Sequence, residues 1–365
     1  MTEIDNSTNA QLECPLLTWL AEAVTREASD LHVSASYAPH VRVQGDLVAL
    51  PLAQVTHEQL AEYLRRILPD DAWERLTVGK NIDRSLELPL SIGNHRFRVN
   101  GFYGDQGIGA CFRLIPDVIP DLDWAGFPSI IADKLSGFRD GLVLVSGVTG
   151  SGKSTTLAIL LERMNRRGGK RILTLEEPIE YRFAPCEHSI VTQREVGRDV
   201  DTFADGLKFG LRQDPDVILV GEIRDQDTAR LTIAAAETGH LVFATLHTRD
   251  AKGAISRLAD FFPKQSQDAV LSQLAMSLRA VVSQQLVPSS NIESKRELAI
   301  EVLYNTNPVA SAMRQRRIES IDNAIVTGRN DGMMSMDESL RRLVESGRIL
   351  RKIARRFANE PTHFE

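Results

Sequence analysis

Residues 141–156 read Gly-Leu-Val-Leu-Val-Ser-Gly-Val-Thr-Gly-Ser-Gly-Lys-Ser-Thr-Thr, and the interpretation of the whole chain starts from them. The run Leu142 to Val145 is short and apolar, which is typical of a fully buried parallel strand. It leads directly into the pattern G-x-x-x-x-G-K-[ST] over residues 147–154, a complete phosphate loop. From Thr155 onward the pattern is helical. Strand, loop and helix therefore follow one another in the order that the motif requires.

The residue types in this loop suit the binding of a nucleoside triphosphate, ATP, together with Mg²⁺. Glycines allow positive φ, so the backbone N–H groups turn inward toward the phosphate oxygens. Lys153 is predicted to reach the β- and γ-phosphates, and the Ser154 hydroxyl to bind Mg²⁺. The N-terminus of the following helix also favours an anion. The residues predicted to contact the nucleotide here are Gly147, Val148, Thr149, Gly150, Ser151, Gly152, Lys153, Ser154 and Thr155.

Composition narrows the class of protein. A length of 365 residues predicts two domains or one large one, and the net charge of −6 disfavours a dedicated duplex-DNA binder. The three cysteines (Cys14, Cys111 and Cys186) are far apart and odd in number, so neither a disulfide framework nor a zinc site is expected. This cysteine usage predicts that the protein works in a reducing cytoplasm. No run approaches the roughly 18 apolar residues of a membrane span, and the N-terminus lacks a signal pattern. Membrane association is therefore expected only through a partner.

The first part of the chain predicts an α+β domain over residues 12–114, after a flexible polar tail over residues 1–11. Helical patterns cover residues 15–27 and 56–68, and alternating patterns typical of strands recur between them and as far as residue 114. These segments predict a meandering antiparallel sheet. Residues 115–122 contain two prolines and are predicted to be the linker out of this domain.

The second part, residues 123–365, predicts an α/β domain. Apolar runs at residues 142–145, 171–175, 217–220 and 241–246 alternate with helical stretches. Strands separated by helices predict a largely parallel sheet that binds its ligand at the carboxyl edge.

Acidic and imidazole groups stand at the ends of these predicted strands, where functional residues are common. Glu222 follows the run at 217–220, with Gly221 in the place where Asp is common, and is predicted to serve Mg²⁺. Glu176 ends the run at 171–175 and is predicted to orient and deprotonate the attacking water. The two glutamates can exchange these roles, and the sequence does not decide between them. His247 is predicted to hydrogen-bond the γ-phosphate, and His240 to contact the nucleotide, although a lone histidine is often only structural.

Taken together, these boxes resemble the secretion ATPases of the type II secretion and type IV pilus superfamily, and within it the PilT-like pilus retraction motors. The resemblance runs from about Ala28 to about Arg348. The boxes that carry it are residues 28–32, 43–47, 96–100, the phosphate loop, the acidic box 176–180, and residues 193–197, 211–225, 237–248 and 277–286.

The resemblance implies a PAS-like N-terminal domain joined to a RecA-like P-loop ATPase domain, assembled as a homohexameric ring. It implies that Arg98 and Arg113 act as arginine fingers on a nucleotide held between the two domains, and that Arg194 and Arg212 are second candidates that face a neighbouring subunit. It also implies an ATP-hydrolysing motor that powers type IV pilus retraction. The motor would lie in the cytoplasm at the inner membrane, held there by a platform protein.

Some residues depart from the family pattern. Val148 replaces a common Pro and Glu177 a more usual Asp, both with little expected effect. After Asn307-Pro308 the chain reads Val-Ala-Ser-Ala-Met-Arg-Gln-Arg-Arg, where retraction motors carry an Ala-Ile-Arg-Asn-Leu-Ile-Arg-Glu-like helix. Assembly or export by a secretion or conjugative-pilus ATPase of the same superfamily therefore stays an alternative.

Three more distant classes share the phosphate loop. They are a P-loop small-molecule kinase, a DNA-handling RecA relative and a nucleotide-sensing scaffold without turnover. No arginine-rich lid insertion follows residues 217–222, which disfavours a kinase. A DNA motor would show salt-sensitive DNA binding or DNA-stimulated hydrolysis.

Overall fold

The computed structural model describes residues 14–43, 45–116, 118–291 and 295–365. The tail predicted over residues 1–11 lies outside the described residues. The chain forms two compact units, divided between Val118 and Ile119. No helix in the described ranges is both long enough and apolar enough to cross a bilayer.

The described residues of the first unit form three helices and six strands. The helices are α1 (Pro15–Thr25), α2 (His57–Ile67) and α3 (Asp70–Thr77). The strands are β1 (Asp30–Ser34), β2 (His40–Val43), β3 (Asp46–Ala49), β4 (Ile82–Leu90), β5 (Gly93–Gly104) and β6 (Gly107–Ile115). They pair as one antiparallel sheet in the order β3-β2-β1-β6-β5-β4.

Alternation along these strands separates an apolar face from a polar face. Phe97 and Phe112 point to the apolar face and share one core with Leu20 of α1 and Leu60 of α2. Helix α2 begins at a capping box, in which Thr56 and Gln59 satisfy each other's backbone N–H groups. The helices therefore cover one face of the sheet.

A row of polar residues crosses the other face, one from each neighbouring strand. Asp30 lies opposite Arg42 on one side and opposite Arg113 on the other. Arg113 in turn lies opposite Arg98, and Arg98 opposite Ser85. Because directly opposed residues in an antiparallel sheet point to the same face, all five side chains belong to one row, which we call the arginine row.

The second unit carries a seven-stranded sheet and the remaining helices. Its strands are β7 (Gly141–Ser146), β8 (Arg171–Glu176), β9 (Ile190–Glu195), β10 (Val217–Val220), β11 (Leu241–Leu246), β12 (Leu278–Val287) and β13 (Glu297–Tyr304). Its α-helices are α4 (Leu122–Ala125), α5 (Ser129–Ser136), α6 (Lys153–Arg167), α7 (Phe203–Gly210), α8 (Gln226–Glu237), α9 (Ala251–Asp260), α10 (Gln267–Ser277), α11 (Asn307–Arg314), α12 (Ile321–Thr327), α13 (Met336–Glu345) and α14 (Arg351–Phe357).

The sheet is mixed, in the order β13-β12-β7-β11-β10-β8-β9. Only β13 runs antiparallel to its neighbour, and every other described pairing in this sheet is parallel. Every residue of β7, β10 and β11 is buried, as continuous apolar runs in a parallel sheet require. Strand β7 contacts helices α6, α8 and α9, and β11 contacts α8.

Parallel pairing brings the carboxyl ends of four strands to one edge of this sheet. Strands β7, β11, β10 and β8 end there at Ser146, Leu246, Val220 and Glu176. Neighbouring strands lie about 4.8 Å apart, so the ends of β7 and β8 are about 14 Å from each other. The residues that follow these strands are therefore within side-chain reach of one region beside the phosphate loop.

Candidate active site

The phosphate loop joins β7 to α6 in a conformation that depends on glycine. Gly152 has φ of 88°, in the left-handed region, and directly precedes the first helical residue, Lys153. A Cβ atom on Gly147 would collide with the carbonyl oxygen of Gln284 and lie 2.5 Å from Ser151 Oγ, whereas one on Gly150 would meet open space. The loop is therefore packed against β12 on one side and open on the other, which suits the approach of a phosphate chain.

Lys153 is 8% exposed and rests on its own loop. Its Nζ donates to the carbonyl oxygens of Gly147 at 2.7 Å and Val148 at 3.2 Å. Burial lowers the pKa of this ammonium, and the charges of Glu222 and Glu180 act in the opposite direction. An ammonium that rests on loop carbonyl oxygens, with carboxylates nearby and at a helix N-terminus, fits a phosphate chain as its ligand.

Glu222 lies at the centre of a linked group of charged side chains. Its Oε1 is 3.2 Å from His247 Nε2, and its Oε2 accepts from Arg224 Nη2 at 2.8 Å. Arg224 Nη1 also donates to Glu177 Oε2. Burial acts to raise the pKa of Glu222, but Arg224 and then His247 outweigh it, so the pKa is lowered. Glu222 is therefore ionised at neutral pH.

His247 connects this group to the phosphate loop. Its Nδ1 is 3.5 Å from Lys153 Nζ, and its Nε2 faces Glu222. In the tautomer that satisfies both contacts, Nε2–H donates to Glu222 and Nδ1 accepts from Lys153. We call Lys153, His247, Glu222, Arg224 and Glu177 the charged array.

Glu176 sits in a different environment at the end of β8. Its Oε1 accepts from Thr174 Oγ1 at 2.7 Å and from Gln193 Nε2 at 3.1 Å. The residue as a whole keeps partial exposure, but its carboxyl group is enclosed. Desolvation raises the pKa of Glu176 to about 7, although both hydrogen bonds act to lower it. The two glutamates of the predicted pair therefore have pKa values that are shifted in opposite directions.

The acidic box folds back toward the start of α6. Tyr181 OH lies 3.0 Å from Thr155 Oγ1, in the first turn of the helix that follows the loop. Glu180 is close enough to Lys153 to act on its pKa. Ser154, the second residue of α6, is half-buried in the same turn. The loop, the acidic box and the residues after β10 and β11 thus form one site.

Gly221 occupies a place with no room for a side chain. A Cβ atom there would lie 2.9 Å from the carbonyl oxygen of Leu175 and 3.3 Å from Glu176 Cα. The Gly221 N–H donates to that same carbonyl at 2.7 Å. The close approach of β10 and β8 at this edge explains why glycine stands where an aspartate is common.

The structure places His240 apart from the other predicted nucleotide contacts. This residue directly precedes β11, and its carbonyl accepts from the Gly141 N–H at the start of β7. It lies at the amino edge of the sheet, whereas His247 follows the carboxyl end of the same strand. Its Nδ1 is 3.0 Å from the carbonyl oxygen of Ala235 at the end of α8. Six residues of extended strand, about 20 Å, separate it from the site within this chain, so its described contacts are structural.

Arg98 and Arg113 lie in the first unit, and both rest on carboxylates. Arg98 donates to Asp83 in a bidentate pair, at 2.9 Å from Nε and 2.6 Å from Nη2. Arg113 Nε donates at 2.9 Å to Asp30, which is buried. Arg194 of β9 donates to the carbonyl oxygen of Asp199 at 3.0 Å.

Sequence reasoning missed several residues of this site. Arg224 lies in the matched box 211–225, where no role is predicted for it. An arginine two residues after a strand-end glutamate is nevertheless a signal for an ion pair with that glutamate. Gln193 lies in the matched box 193–197 without a role, and Tyr181 gives no local signal, because the contacts of both depend on how the segment after β8 folds back. Gln284 gave none either, although it is fully buried and donates to the Ser151 carbonyl at 2.8 Å.

A family model described as type II/IV secretion system protein matches residues 6–363 of this chain. The chain belongs to this family. The type IV pilus retraction ATPase PilT of Pseudomonas aeruginosa is 41% identical over 345 residues, which cover 94% of this chain and 98% of that protein. An uncharacterized protein of Escherichia coli, YggR, is also 41% identical, over 90% of this chain and 98% of its own.

A crystal structure of the pilus retraction motor PilT with bound ADP superposes with a TM-score of 0.84 at 35% identity, over 95% of this chain and 98% of that one. This member of the type II/IV secretion family is therefore a PilT-like ATPase, and the predicted α/β ATPase fold is confirmed. The predicted resemblance to the PilT-like group is confirmed as well.

Proposed function

We propose that this protein is a hexameric motor that hydrolyses ATP to power the retraction of a type IV pilus. The observation that carries the proposal is the charged array beside a complete phosphate loop, in a chain that matches PilT over nearly its whole length. The array joins a phosphate-binding lysine to a strand-end carboxylate through one imidazole. Phosphoryl transfer depends on this kind of positioning and charge compensation more than on covalent chemistry by the protein.

The roles of the site residues follow from their charge states. Lys153 exchanges loop carbonyls for phosphate oxygens. Ser154 and Glu222 would hold Mg²⁺, which would neutralise charge on the phosphate oxygens, and Glu222 suits this role because it is ionised. Glu176 orients and deprotonates the attacking water, since a carboxyl group with a pKa of about 7 is close to the operating pH of a general base.

His247 is suited to report the state of the γ-phosphate. It lies between Lys153 and Glu222, so a phosphate that draws Lys153 away changes the partners of the imidazole. Arg224 then carries that change to Glu177 in the acidic box. This is the route by which bond cleavage would alter the conformation of the subunit.

Residues 12–114 are proposed to form a PAS-like domain, joined by residues 115–122 to a RecA-like domain over residues 123–365. In a homohexameric ring, Arg98 and Arg113 would act as arginine fingers, because guanidinium groups make bidentate contacts with phosphate. Arg194 and Arg212 are proposed to face a neighbouring subunit. The partner would be a platform protein at the cytoplasmic face of the inner membrane, and nucleic acid is not proposed as a partner.

The test is deletion of the gene in its host, with surface pili counted by electron microscopy. Loss of a retraction motor is expected to leave cells hyperpiliated and unable to twitch, and the wild-type gene but not Lys153→Ala should restore the normal number. Deletion cells without surface pili would overturn the proposal that this protein powers retraction. They would instead favour the assembly or export motor, which is supported by the departure over residues 309–317.

A further inference from the structure

The acidic box is held from one side by strand β9, through a side chain that the proposed mechanism does not use. Gln193 Nε2 donates to Glu176 Oε1 at 3.1 Å and to the carbonyl oxygen of Tyr181 at 2.7 Å. Its Oε1 accepts from the Phe183 N–H at 3.1 Å. One amide therefore ties the candidate base to Tyr181 and Phe183, just beyond the acidic box.

A second residue of β9 holds the near end of the same segment. Glu195 Oε2 accepts from the Ile179 N–H at 3.1 Å. Gln193 and Glu195 are two residues apart on β9, so their side chains point to the same face of the sheet. The segment between β8 and β9 is thus fastened at Glu176, Ile179, Tyr181 and Phe183 by two side chains of one strand.

We propose that Gln193 is a positioning residue, which fixes the Glu176 carboxylate and the backbone of residues 179–183 in the arrangement that hydrolysis requires. This inference rests on the proposed function, because it takes Glu176 as the residue that activates water. Gln193 itself touches neither nucleotide nor water in this scheme. It acts through Glu176 and through the segment that carries Glu180 toward Lys153.

An amide is the side chain that this position needs, because its two ends are used differently. The NH₂ group donates to a carboxylate and a carbonyl, and the oxygen accepts from an N–H. Glutamate cannot supply the two donated hydrogen bonds when it is ionised, and it would add a like charge beside Glu176. An apolar side chain of the same length would leave all three partners without their bond.

The hydrogen bond from Gln193 also affects the protonation of Glu176. The groups that act on this carboxyl are Thr174 from β8, Gln193 from β9 and, from its own segment, the charge and the backbone N–H of Glu180. Burial and the charge of Glu180 raise its pKa, while the donors on Thr174 and Gln193 lower it. Removing a donor therefore raises the pKa of Glu176, and the base is ionised only at higher pH.

The experiment measures single-turnover ATP cleavage by the full-length protein across neutral pH for four variants. Gln193→Met removes the amide and keeps the length of the side chain. Thr174→Val removes the other donor but none of the backbone contacts. Thr192→Val is the control on β9, since Thr192 accepts from Arg171 Nη1 at 2.7 Å and points to the opposite face from Gln193. Glu176→Gln removes the candidate base.

We expect the acid limb of the pH–rate profile to move about one pH unit upward in Gln193→Met and in Thr174→Val, and to stay in place in Thr192→Val. In Gln193→Met the cleavage rate at high pH should also fall, because residues 179–183 lose the hydrogen bonds that Gln193 makes to Tyr181 and Phe183. In Thr174→Val that rate should be retained. Nucleotide affinity should be unchanged in both, which a general loss of structure would not allow.

A pH profile of Gln193→Met that superposes on the wild type would overturn the inference, as would an equal shift in Thr192→Val. If Gln193→Met does not fold, Thr174→Val provides the test. An acid limb that stays in place in Thr174→Val would overturn the argument that hydrogen-bond donors lower the pKa of Glu176. The proposed function fails separately, if the wild type does not cleave ATP or if Glu176→Gln cleaves it at the wild-type rate.

Discussion

Lys153 is the cation of the phosphate loop, and its present contacts are ones that a bound phosphate would replace. It rests on two loop carbonyls and lies 3.5 Å from His247, so its ammonium is already placed at the helix N-terminus. Its pKa is lowered by burial, and a phosphate would reverse that effect by adding negative charge. The site is therefore organised around one cation before the ligand arrives.

Lys153→Ala is expected to abolish nucleotide binding or turnover, because no other described side chain in the loop can supply a positive charge to the β- and γ-phosphates. Binding of a fluorescent ATP analogue and phosphate release are the measurements. Lys264→Ala, at an exposed position outside the site, is the matched control and should behave as the wild type. A Lys153→Ala protein with normal turnover would contradict the role assigned to this residue.

Glu176→Gln is expected to keep nucleotide binding and to lose turnover by roughly 10²- to 10⁴-fold, the usual contribution of a general base. Glu222→Gln should instead weaken the dependence of binding on Mg²⁺. Both variants are compared in the same binding and phosphate-release assays. Retained turnover in Glu176→Gln would move the base to Glu222.

The residues of the phosphate loop could be predicted from the sequence because their contacts are local. Glu222 and His247 could be predicted as well, since parallel strands bring their carboxyl ends to one edge. The position of His240 at the opposite edge could not be predicted, because residues 237–248 form one sequence box that spans both edges of the sheet. The role of Gln193 could not be predicted, because its contact with Glu176 depends on the pairing of β8 with β9 and on the path of the segment between them.

At the scale of elements, the end of β10 lies so close to β8 that the edge of the sheet admits only glycine. Gly221→Asp would place a Cβ atom 2.9 Å from the Leu175 carbonyl oxygen. We expect a loss of about 1–3 kcal/mol in the free energy of unfolding, as for other overpacked positions. Chemical denaturation measures it. Gly104→Ala, whose Cβ atom would meet Gly107 O at 4.0 Å, should be tolerated, and an equally stable Gly221→Asp would refute the packing argument.

Strand β13 carries a buried carboxyl group that links two helices. Glu301 is 4% exposed, and its Oε1 accepts from the Ala251 N–H at the start of α9, while the Met336 backbone at the start of α13 also bonds to it. Burial raises the pKa of Glu301 to about 7, from an ordinary value of 4.5. The charged form is therefore the less stable one in the folded protein.

This shift makes stability fall as pH rises. Between pH 4.5 and about 7 the folded state holds a proton on Glu301 that the unfolded state has lost, so the free energy of unfolding decreases through that window, by on the order of 3 kcal/mol. Glu301→Gln keeps the acceptor and cannot ionise, so its advantage over the wild type should grow from pH 5 to pH 8. Thermal unfolding at each pH measures this difference in stability. Glu176→Gln is the comparison, because the pKa of the Glu176 carboxyl group in the wild type is also raised to about 7. Parallel pH curves would contradict this account.

The elements themselves were predicted unevenly. The apolar runs at 217–220 and 241–246 are β10 and β11 residue for residue, because buried strands have a continuous apolar signal. Strand β9 was not predicted, since Ile190–Glu195 is polar, lies at the sheet edge and lacks alternation. Strand β12 was matched only as a family box. Its buried Ser283 and Gln284 interrupt the apolar pattern and contact β7 and the phosphate loop.

At the scale of the whole molecule, the proposed ring makes activity depend on assembly. Arg98 and Arg113 are absent from the unit that holds the charged array, so turnover would need the two units and the neighbouring subunits in a defined arrangement. We expect ATP turnover per subunit to be slow in dilute protein and to rise steeply with protein concentration. Phosphate release and sedimentation measured over the same dilution series test this. A monomer with concentration-independent turnover would exclude the ring.

The arginine row has a consequence for how such a ring would respond to its ligand. Arg98 and Arg113 already donate to the carboxylates of Asp83 and Asp30, so a phosphate that bound them as proposed would compete with these two anions for the guanidinium groups. Competition of this kind keeps both guanidinium groups oriented while no ligand is bound. It also returns them to their resting partners once the phosphate has left. Each cycle of the motor would then begin from the same geometry, reset by two aspartates that never meet the nucleotide.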